Sequence, residues 1–184
     1  MNFNNHLNLE GLHAPFSASQ SSWLRYDDEK AINTYKKKQA AAMGTRLHAW
    51  AKETIDLGIK QPRSKKTIYA YVNDAIGFKM YTEVVLFYSS YFFGTADAIS
   101  FRNGTLRIHD LKTGDSGHME QLEVYAALFC LEYKVKPGEI DIELRLYKQD
   151  EVLVHHPTAE DILPIMDKIV HLNKILEQID GEEA

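Results

Sequence analysis

Cysteine is nearly missing from this chain: Cys130 is the only one in 184 residues. That excludes an intramolecular disulfide, and it excludes an iron–sulfur cluster held by four thiolates of one chain. Long apolar runs are missing as well. No stretch reaches the roughly 18 residues that a membrane-spanning helix needs, so no membrane partner is expected. The first fifteen residues carry neither a basic start nor an apolar core. They read as an irregular lead-in and not as a secretory signal, and the expected location is cytoplasmic. Positive charge is scarce too, with 21 Lys and Arg against 26 Asp and Glu and a net charge of −5. This balance disfavours tight binding to nucleic acid, because non-specific affinity comes from basic side chains that neutralise phosphates. Two local basic clusters stand against it: Lys36, Lys37 and Lys38, and Arg63 with Lys65 and Lys66. The plainer reading of either one alone is a solvated face.

The remaining composition is that of an ordinary globular chain, 45% hydrophobic and 26% charged, and its length suits one domain with a sizeable core. No repeat or linker interrupts it, so residues 1–184 read as a single domain. A short helix is expected around Trp23, with Ser17 or Ser19 as its cap. Trp23 itself reads as a core anchor or as a stacking surface. From Asp28 to Leu57 the composition is helical, and Met43, Leu47, Trp50, Ala51 and Ile55 recur at the spacing of a buried stripe. Ile68, Tyr71, Val72, Ala75 and Ile76 predict a second helix over 67–77. Met80 to Tyr88 is β-branched and aromatic, as a strand requires, and carries Glu83. His118 to Tyr133 reads as a helix whose apolar face includes Leu122, Val124, Tyr125, Leu128 and Phe129, with Cys130 in the core. Ile140 to Tyr147 alternates as a strand with one wet face, Asp141, Glu143, Arg145 and Tyr147. Val152 to Val154 is a short partner strand. His155 and His156 are adjacent, so in a strand they point opposite ways and do not chelate one ion. Thr158 caps a final helix over 159–179, with Ile162, Ile165, Met166, Ile169, Leu172, Ile175, Leu176 and Ile179 on one stripe. It packs on the sheet or on a second subunit.

The chemistry concentrates between Gly94 and Tyr125. Tyr91 to Ser100 reads as one strand, Arg102-Asn103-Gly104 as a hairpin turn, and Thr105 to Leu111 as a second strand. Asp97 lies on the first strand, and Asp110 and Lys112 lie at the end of the second. Adjacent strands sit about 5 Å apart, so a hairpin brings the two acids together with Lys112 beside them. Two close carboxylates repel, and one stays protonated unless a cation intervenes. A hard divalent ion with oxygen ligands, Mg²⁺ or Mn²⁺, resolves this. An ammonium alongside then orients a water or stabilises an oxyanion. Metal, activated water and fixed positive charge together suit phosphodiester hydrolysis. The competing reading is a surface hairpin with solvated charges.

Three ordered pieces of this region resemble the PD-(D/E)XK nuclease superfamily, in its RecB-type and phage-exonuclease-like branch. They are Gly94-Thr95-Ala96-Asp97, Ile108-His109-Asp110-Leu111-Lys112-Thr113-Gly114 and Gln121-Leu122-Glu123-Val124-Tyr125. A fourth piece upstream, Gly44-Thr45-Arg46-Leu47-His48, looks like the helix that adds a histidine. The family's proline before the first Asp is absent, with Ala96 in its place. The resemblance covers roughly residues 16–147. It implies an α/β, restriction-endonuclease-like core, a central mixed β-sheet flanked by helices. It implies that Asp97 and Asp110 hold Mg²⁺ or Mn²⁺, joined by His48 and the Leu111 carbonyl, and that Lys112 is catalytic. Gln121 and Tyr125, one turn apart, then support the site or contact DNA, and Glu83 assists the metal or is simply an outward polar residue. Some relatives carry an iron–sulfur cluster, which a single cysteine forbids here. The implied activity is DNA hydrolysis, by an exonuclease more than a restriction enzyme, in recombination or phage DNA processing. A homo-oligomer and a single-strand-binding or annealing protein are the implied partners. A DNA-binding or structural member of the same fold with a weakened site is the alternative, and an enzyme acting on RNA or a small phosphorylated substrate is another.

Overall fold

Asn103 and Gly104 take left-handed backbone angles in succession, φ 51° and 76°. Two consecutive positive φ values are what a two-residue hairpin turn needs to match the twist of its strands. In the computed structural model, which describes residues 14–114, 117–148 and 151–182, this turn joins β2 (Phe92–Arg102) to β3 (Thr105–Lys112). Most of the expected lead-in, and Asp115 and Ser116 of the loop after Lys112, lie outside the described residues.

The chain divides into two compact units, Met1–Thr45 and Arg46–Ala184. In the first, a 3-10 helix covers Ala18–Arg25. The Trp23 indole donates to the Ser17 carbonyl at 2.9 Å, and its ring meets Phe16 edge-on. Helix α1 (Asp28–Asp56) starts here, where the Asp27 carboxylate accepts the Lys30 N–H at 2.8 Å and so caps a free amide of the first turn. Met43, expected in the buried stripe, is exposed. Lys36, Lys37 and Lys38 are exposed on this first part of α1.

The second unit is α/β. It contains the end of α1, then α2 (Thr67–Gly77), β1 (Tyr81–Ser89), β2, β3, α3 (Met119–Tyr133), β4 (Asp141–Lys148), β5 (Glu151–His155) and α4 (Ala159–Glu182). The five strands form one mixed sheet in the order β1-β2-β3-β4-β5. All neighbours are antiparallel except β3 and β4, which run parallel because α3 carries the chain across. Helix α3 packs on β1 to β4 and on α4. Leu106, Ile108, Leu144 and Leu146 from the sheet meet Leu122, Ala126 and Leu128 from α3 and Ile162 from α4, all buried. Complete burial of one such leucine contributes about 1.5–3 kcal/mol. On the opposite face, Ala51 and Ile55 of α1 and Tyr71, Val72 and Ala75 of α2 cover Ala98, Leu111 and Tyr147.

That second cover corrects one expectation. The predicted wet face of β4 is exposed only at its start, at Asp141, and is covered further along. Tyr147 has no exposure, and its hydroxyl donates to Asp74 of α2 at 2.6 Å. Arg145 pairs with Asp74 and Glu143 and, with Arg107, lies over the Phe78 ring. Other expected core residues are exposed: Val124 on α3, and Ile175 and Ile179 near the end of α4. At the start of α4 the expected cap is present. Asp161 accepts from both the Thr158 N–H and hydroxyl, at 2.7 and 2.9 Å. Among the described residues no helix is long and apolar enough to cross a membrane.

Side-chain alternation fails once along β2. Ala96 packs with Leu86 and the α3 side, while Ala98 packs with Tyr71 and the α2 side. A regular strand would keep both on one face. The break falls at Asp97. The register runs from Thr82↔Ala98 to Val84↔Ala96, which sets Glu83 opposite Asp97. Glu83 has φ 49°, a left-handed conformation that costs a residue with a side chain about 1–3 kcal/mol. The sheet is therefore kinked at the acid on which the resemblance centres.

Candidate active site

Asp97, at the kink, turns toward α1. Its Oδ2 accepts the Leu111 N–H at 2.9 Å and lies 3.5 Å from Nδ1 of His48. The second distance is long for a hydrogen bond, so His48 is an electrostatic neighbour more than a clamp. Asp110, one strand away, is 2% exposed. Burial, followed by the charge of Asp110, holds the Asp97 carboxyl above the usual carboxylate range, against the Leu111 N–H, His48 and Lys112, which pull it down. A buried acid and a half-buried one are thus held as neighbours, a costly arrangement without positive charge beside them.

Lys112 supplies part of that positive charge. Its Nζ lies 2.9 Å from Oδ2 of Asp110 and donates to Oδ1 at 3.2 Å. Although Oδ2 is close to the ammonium, it is out of line for a hydrogen bond and has no other partner. A third contact fixes the lysine, with Nζ donating to Oε1 of Gln121 at 3.0 Å. Ammonium nitrogen only donates, so Gln121 must present its oxygen to it. The Gln121 amide is then turned to donate to the Tyr125 hydroxyl, 3.0 Å away. Asp110, Lys112, Gln121 and Tyr125 form one oriented chain.

Two glycines make room for it. A Cβ on Gly94 would sit 2.8 Å from Cε1 of Tyr125, and a Cβ on Gly117 would sit 2.6 Å from Cγ of Lys112. Gly117 accommodates the lysine stem. Gly114 faces open space.

The structure thus brings together Asp97, Asp110, Leu111, Lys112, Gln121, Tyr125 and His48. Glu83 lies opposite Asp97 in register, half-exposed, with its carboxylate 4.0 Å from Nζ of Lys52. Lys52 also holds Asp56 at 2.6 Å, and Asp56 in turn accepts from Thr82 at 2.6 Å. Lys66 joins Lys112, Leu47, Thr67, Ile68, Leu111 and Thr113 around a cavity of about 220 Å³. Arg63 and Lys65 are exposed on the preceding loop. A larger cavity of about 620 Å³ lies elsewhere, between the end of α3 and the first turns of α4, and is lined mainly by apolar residues. It contains none of the expected catalytic groups. His155 pairs with Glu123 at 3.2 Å, away from these residues.

Sequence reasoning missed Lys52 and Tyr71. Lys52 follows His48 by four residues, the spacing that puts two side chains on one helix face, so the signal was present. Tyr71 enters the sequence reading only through the helical spacing of α2. It is buried, and its hydroxyl is held well above its ordinary range, first by burial and then by Asp97 and Asp110. Nothing in its local sequence signals that neighbourhood.

Among the described residues no group of three His, Cys, Asp or Glu converges as a ready-made metal cage. Mg²⁺ does not require one, because it is commonly bound by one or two carboxylates, with water and substrate phosphate completing the shell. The buried Oδ2 of Asp110, ion-paired with Lys112 yet accepting no hydrogen bond, fits such an ion, and the donors are the hard oxygens it prefers. Comparisons with protein-family models, curated proteins and solved structures return no match to this chain.

Proposed function

We propose that the chain is a divalent-metal-dependent deoxyribonuclease of the PD-(D/E)XK kind, with a restriction-endonuclease-like core, acting as an exonuclease in DNA recombination, repair or phage DNA processing. The observation that carries this reading is the Asp110–Lys112 contact of 2.9 Å beside Asp97. A buried acid beside a second, half-buried one with a fixed ammonium is an arrangement that phosphodiester hydrolysis needs and a structural hairpin does not.

Asp97 and Asp110 would hold Mg²⁺ or Mn²⁺ together with the Leu111 carbonyl and His48, and the ion would supply Lewis acidity and lower the pKa of a water. Lys112 orients the attacking water and donates to the charge that builds on a non-bridging phosphate oxygen. The water oxygen bonds to phosphorus and releases a proton to solvent, the bond to the sugar oxygen breaks, and that oxygen takes up a proton from solvent. Gln121 keeps the Lys112 ammonium pointed at the acids, and Tyr125 fixes Gln121. Lys66, which lines the same 220 Å³ cavity as Lys112, would meet an adjacent phosphate.

The test is digestion of linear duplex, circular duplex and single-stranded DNA in Mg²⁺ or Mn²⁺, with Lys112→Ala alongside. The expected result is degradation from ends that falls at least about 100-fold in the variant, the scale of losing one transition-state donor. Equal activity in both proteins, or none in either, overturns it. Binding of DNA and metal without turnover would identify the weakened-site alternative.

A further inference from the structure

Phe87 and Phe93 are a cross-strand pair of β1 and β2, with ring centroids 6.4 Å apart and planes 31° from parallel. They are 49% and 61% exposed, and Val85 beside them is 53% exposed. Large apolar rings in water are costly, and a contiguous set of them marks a binding surface. Three observations indicate what binds here.

The first is continuity. On β2, Phe92, Gly94 and Ala96 turn toward α3, as the Gly94–Tyr125 approach and the packing of Ala96 show. Phe93 and Thr95 therefore face the other way, the way Asp97 faces toward His48. Phe93, Thr95 and Asp97 form one line along one face of one strand. At about 3.4 Å per residue, Phe93 lies about 14 Å from Asp97. That is about four nucleotide steps at the duplex rise, and fewer in a more extended strand.

The second is the state of the sheet edge. β1 is an edge strand, and an open edge invites a second copy to pair with it. Here the Phe87 N–H is already taken by Glu132 at 2.8 Å, and Glu83 interrupts the strand with its left-handed backbone. The edge is interrupted for strand addition at Glu83 and Phe87, while the rings on its face stay exposed.

The third is charge. A net charge of −5 leaves little for a mode of binding that relies on phosphate neutralisation. Stacking of bases on aromatic rings needs no net charge, and it needs unpaired bases whose faces are free.

We infer that the Phe87–Phe93 face is a base-stacking platform that guides a single-stranded DNA end into the Asp97–Asp110 site. The inference rests on the nuclease reading and adds the form of its substrate. Affinity comes from ring–base contact, so its salt dependence is shallow compared with that of a basic groove.

The experiment is fluorescence anisotropy with a labelled oligothymidylate and with a duplex of equal length, both in EDTA so that hydrolysis does not intervene. Phe87→Ala/Phe93→Ala and Phe87→Trp/Phe93→Trp are compared with the unaltered chain, and the self-association of each is measured by sedimentation. The unaltered chain is expected to bind the single strand at least tenfold more tightly than the duplex. The alanine pair loses at least tenfold of that affinity, and the tryptophan pair keeps it. Both positions are exposed, so circular dichroism is expected to be unchanged. If the unaltered chain degrades DNA but the alanine pair binds the single strand equally well, or the duplex binds as tightly, the platform is overturned and the nuclease reading stands. If the alanine pair loses self-association and keeps its DNA affinity, the face joins copies of the chain and the platform is again overturned. If the unaltered chain neither binds nor degrades DNA, both readings fall.

Discussion

The Gln121 side chain accepts a hydrogen bond from Lys112 Nζ and donates one to the Tyr125 hydroxyl, each at 3.0 Å. Its two ends are not interchangeable, since only the oxygen can face an ammonium. Gln121 is therefore a positioning residue for Lys112. Gln121→Ala should lower kcat for DNA hydrolysis by about 10- to 100-fold, the usual cost of removing a group that orients an active-site residue. KM should change little. Equal kcat in Gln121→Ala and the unaltered chain would contradict this role.

Gly94 and Tyr125 are coupled by contact. A methyl group at Gly94 would meet Cε1 of Tyr125 at 2.8 Å, and overpacking of this kind costs about 1–3 kcal/mol. Gly94→Ala should destabilise the chain by that amount in urea unfolding. In a Tyr125→Ala background the same change should cost clearly less. Additive effects would show that the ring and the glycine do not meet.

His109 gives the fold an acid sensitivity. It is fully buried against Phe78 and Tyr147. Since the Tyr147 hydroxyl donates to Asp74 at 2.6 Å, the His109 Nδ1 at 3.3 Å must carry the hydrogen that this hydroxyl oxygen accepts. Nε2 is then the unprotonated nitrogen, buried with no partner. Burial, then the charges of Arg145 and Arg107, push its pKa down to about 3. The unfolded chain takes up a proton near pH 6.5 and the folded chain does not. Any such group leaves stability intact above its unfolded pKa and erodes it as pH falls toward the folded one. Between about pH 6.5 and 3 the loss attributable to His109 is about 1.4 kcal/mol per pH unit. Urea unfolding from pH 7 to pH 4.5 should therefore show the gap between the unaltered chain and His109→Gln narrowing as pH falls. A constant gap would mean that His109 is protonated in the folded state.

At the start of α4, the Thr158–Asp161 pair satisfies an amide that the helix leaves free. Its N–H and hydroxyl bonds to Asp161 hold that carboxyl below the usual range. Asp161→Asn should weaken α4, with the deficit present at neutral pH and fading as pH falls through the depressed pKa. Hydrogen exchange of the α4 amides checks this, and unchanged exchange at pH 7 would contradict it.

Much of this was legible locally. The spacing of Ile68, Tyr71, Val72 and Ala75 bounded α2 at the residues observed, and Asn103-Gly104 marked the hairpin because its chemistry is strictly local. The gathering of Asp97, Asp110 and Lys112 followed from that hairpin. What was not legible depended on distant chain. Tyr147 and Arg145 read as a wet face because the helix that covers them, α2, lies about seventy residues away in sequence. Met43, Val124, Ile175 and Ile179 fit a helical period yet are exposed, since periodicity locates a stripe but not where its cover ends. The kink at Glu83 had no sequence signal at all, because a glutamate in a β-branched run gives no hint of a left-handed backbone.

The most direct measurement is isothermal titration of the chain with Mg²⁺ or Mn²⁺ at millimolar concentration, with Asp110→Asn as the comparison. Uptake by the unaltered chain and its loss in the variant are the expected result, since the proposed ion would rest on the Asp110 carboxylate beside Asp97. No uptake by the unaltered chain, or equal uptake by both, would contradict it.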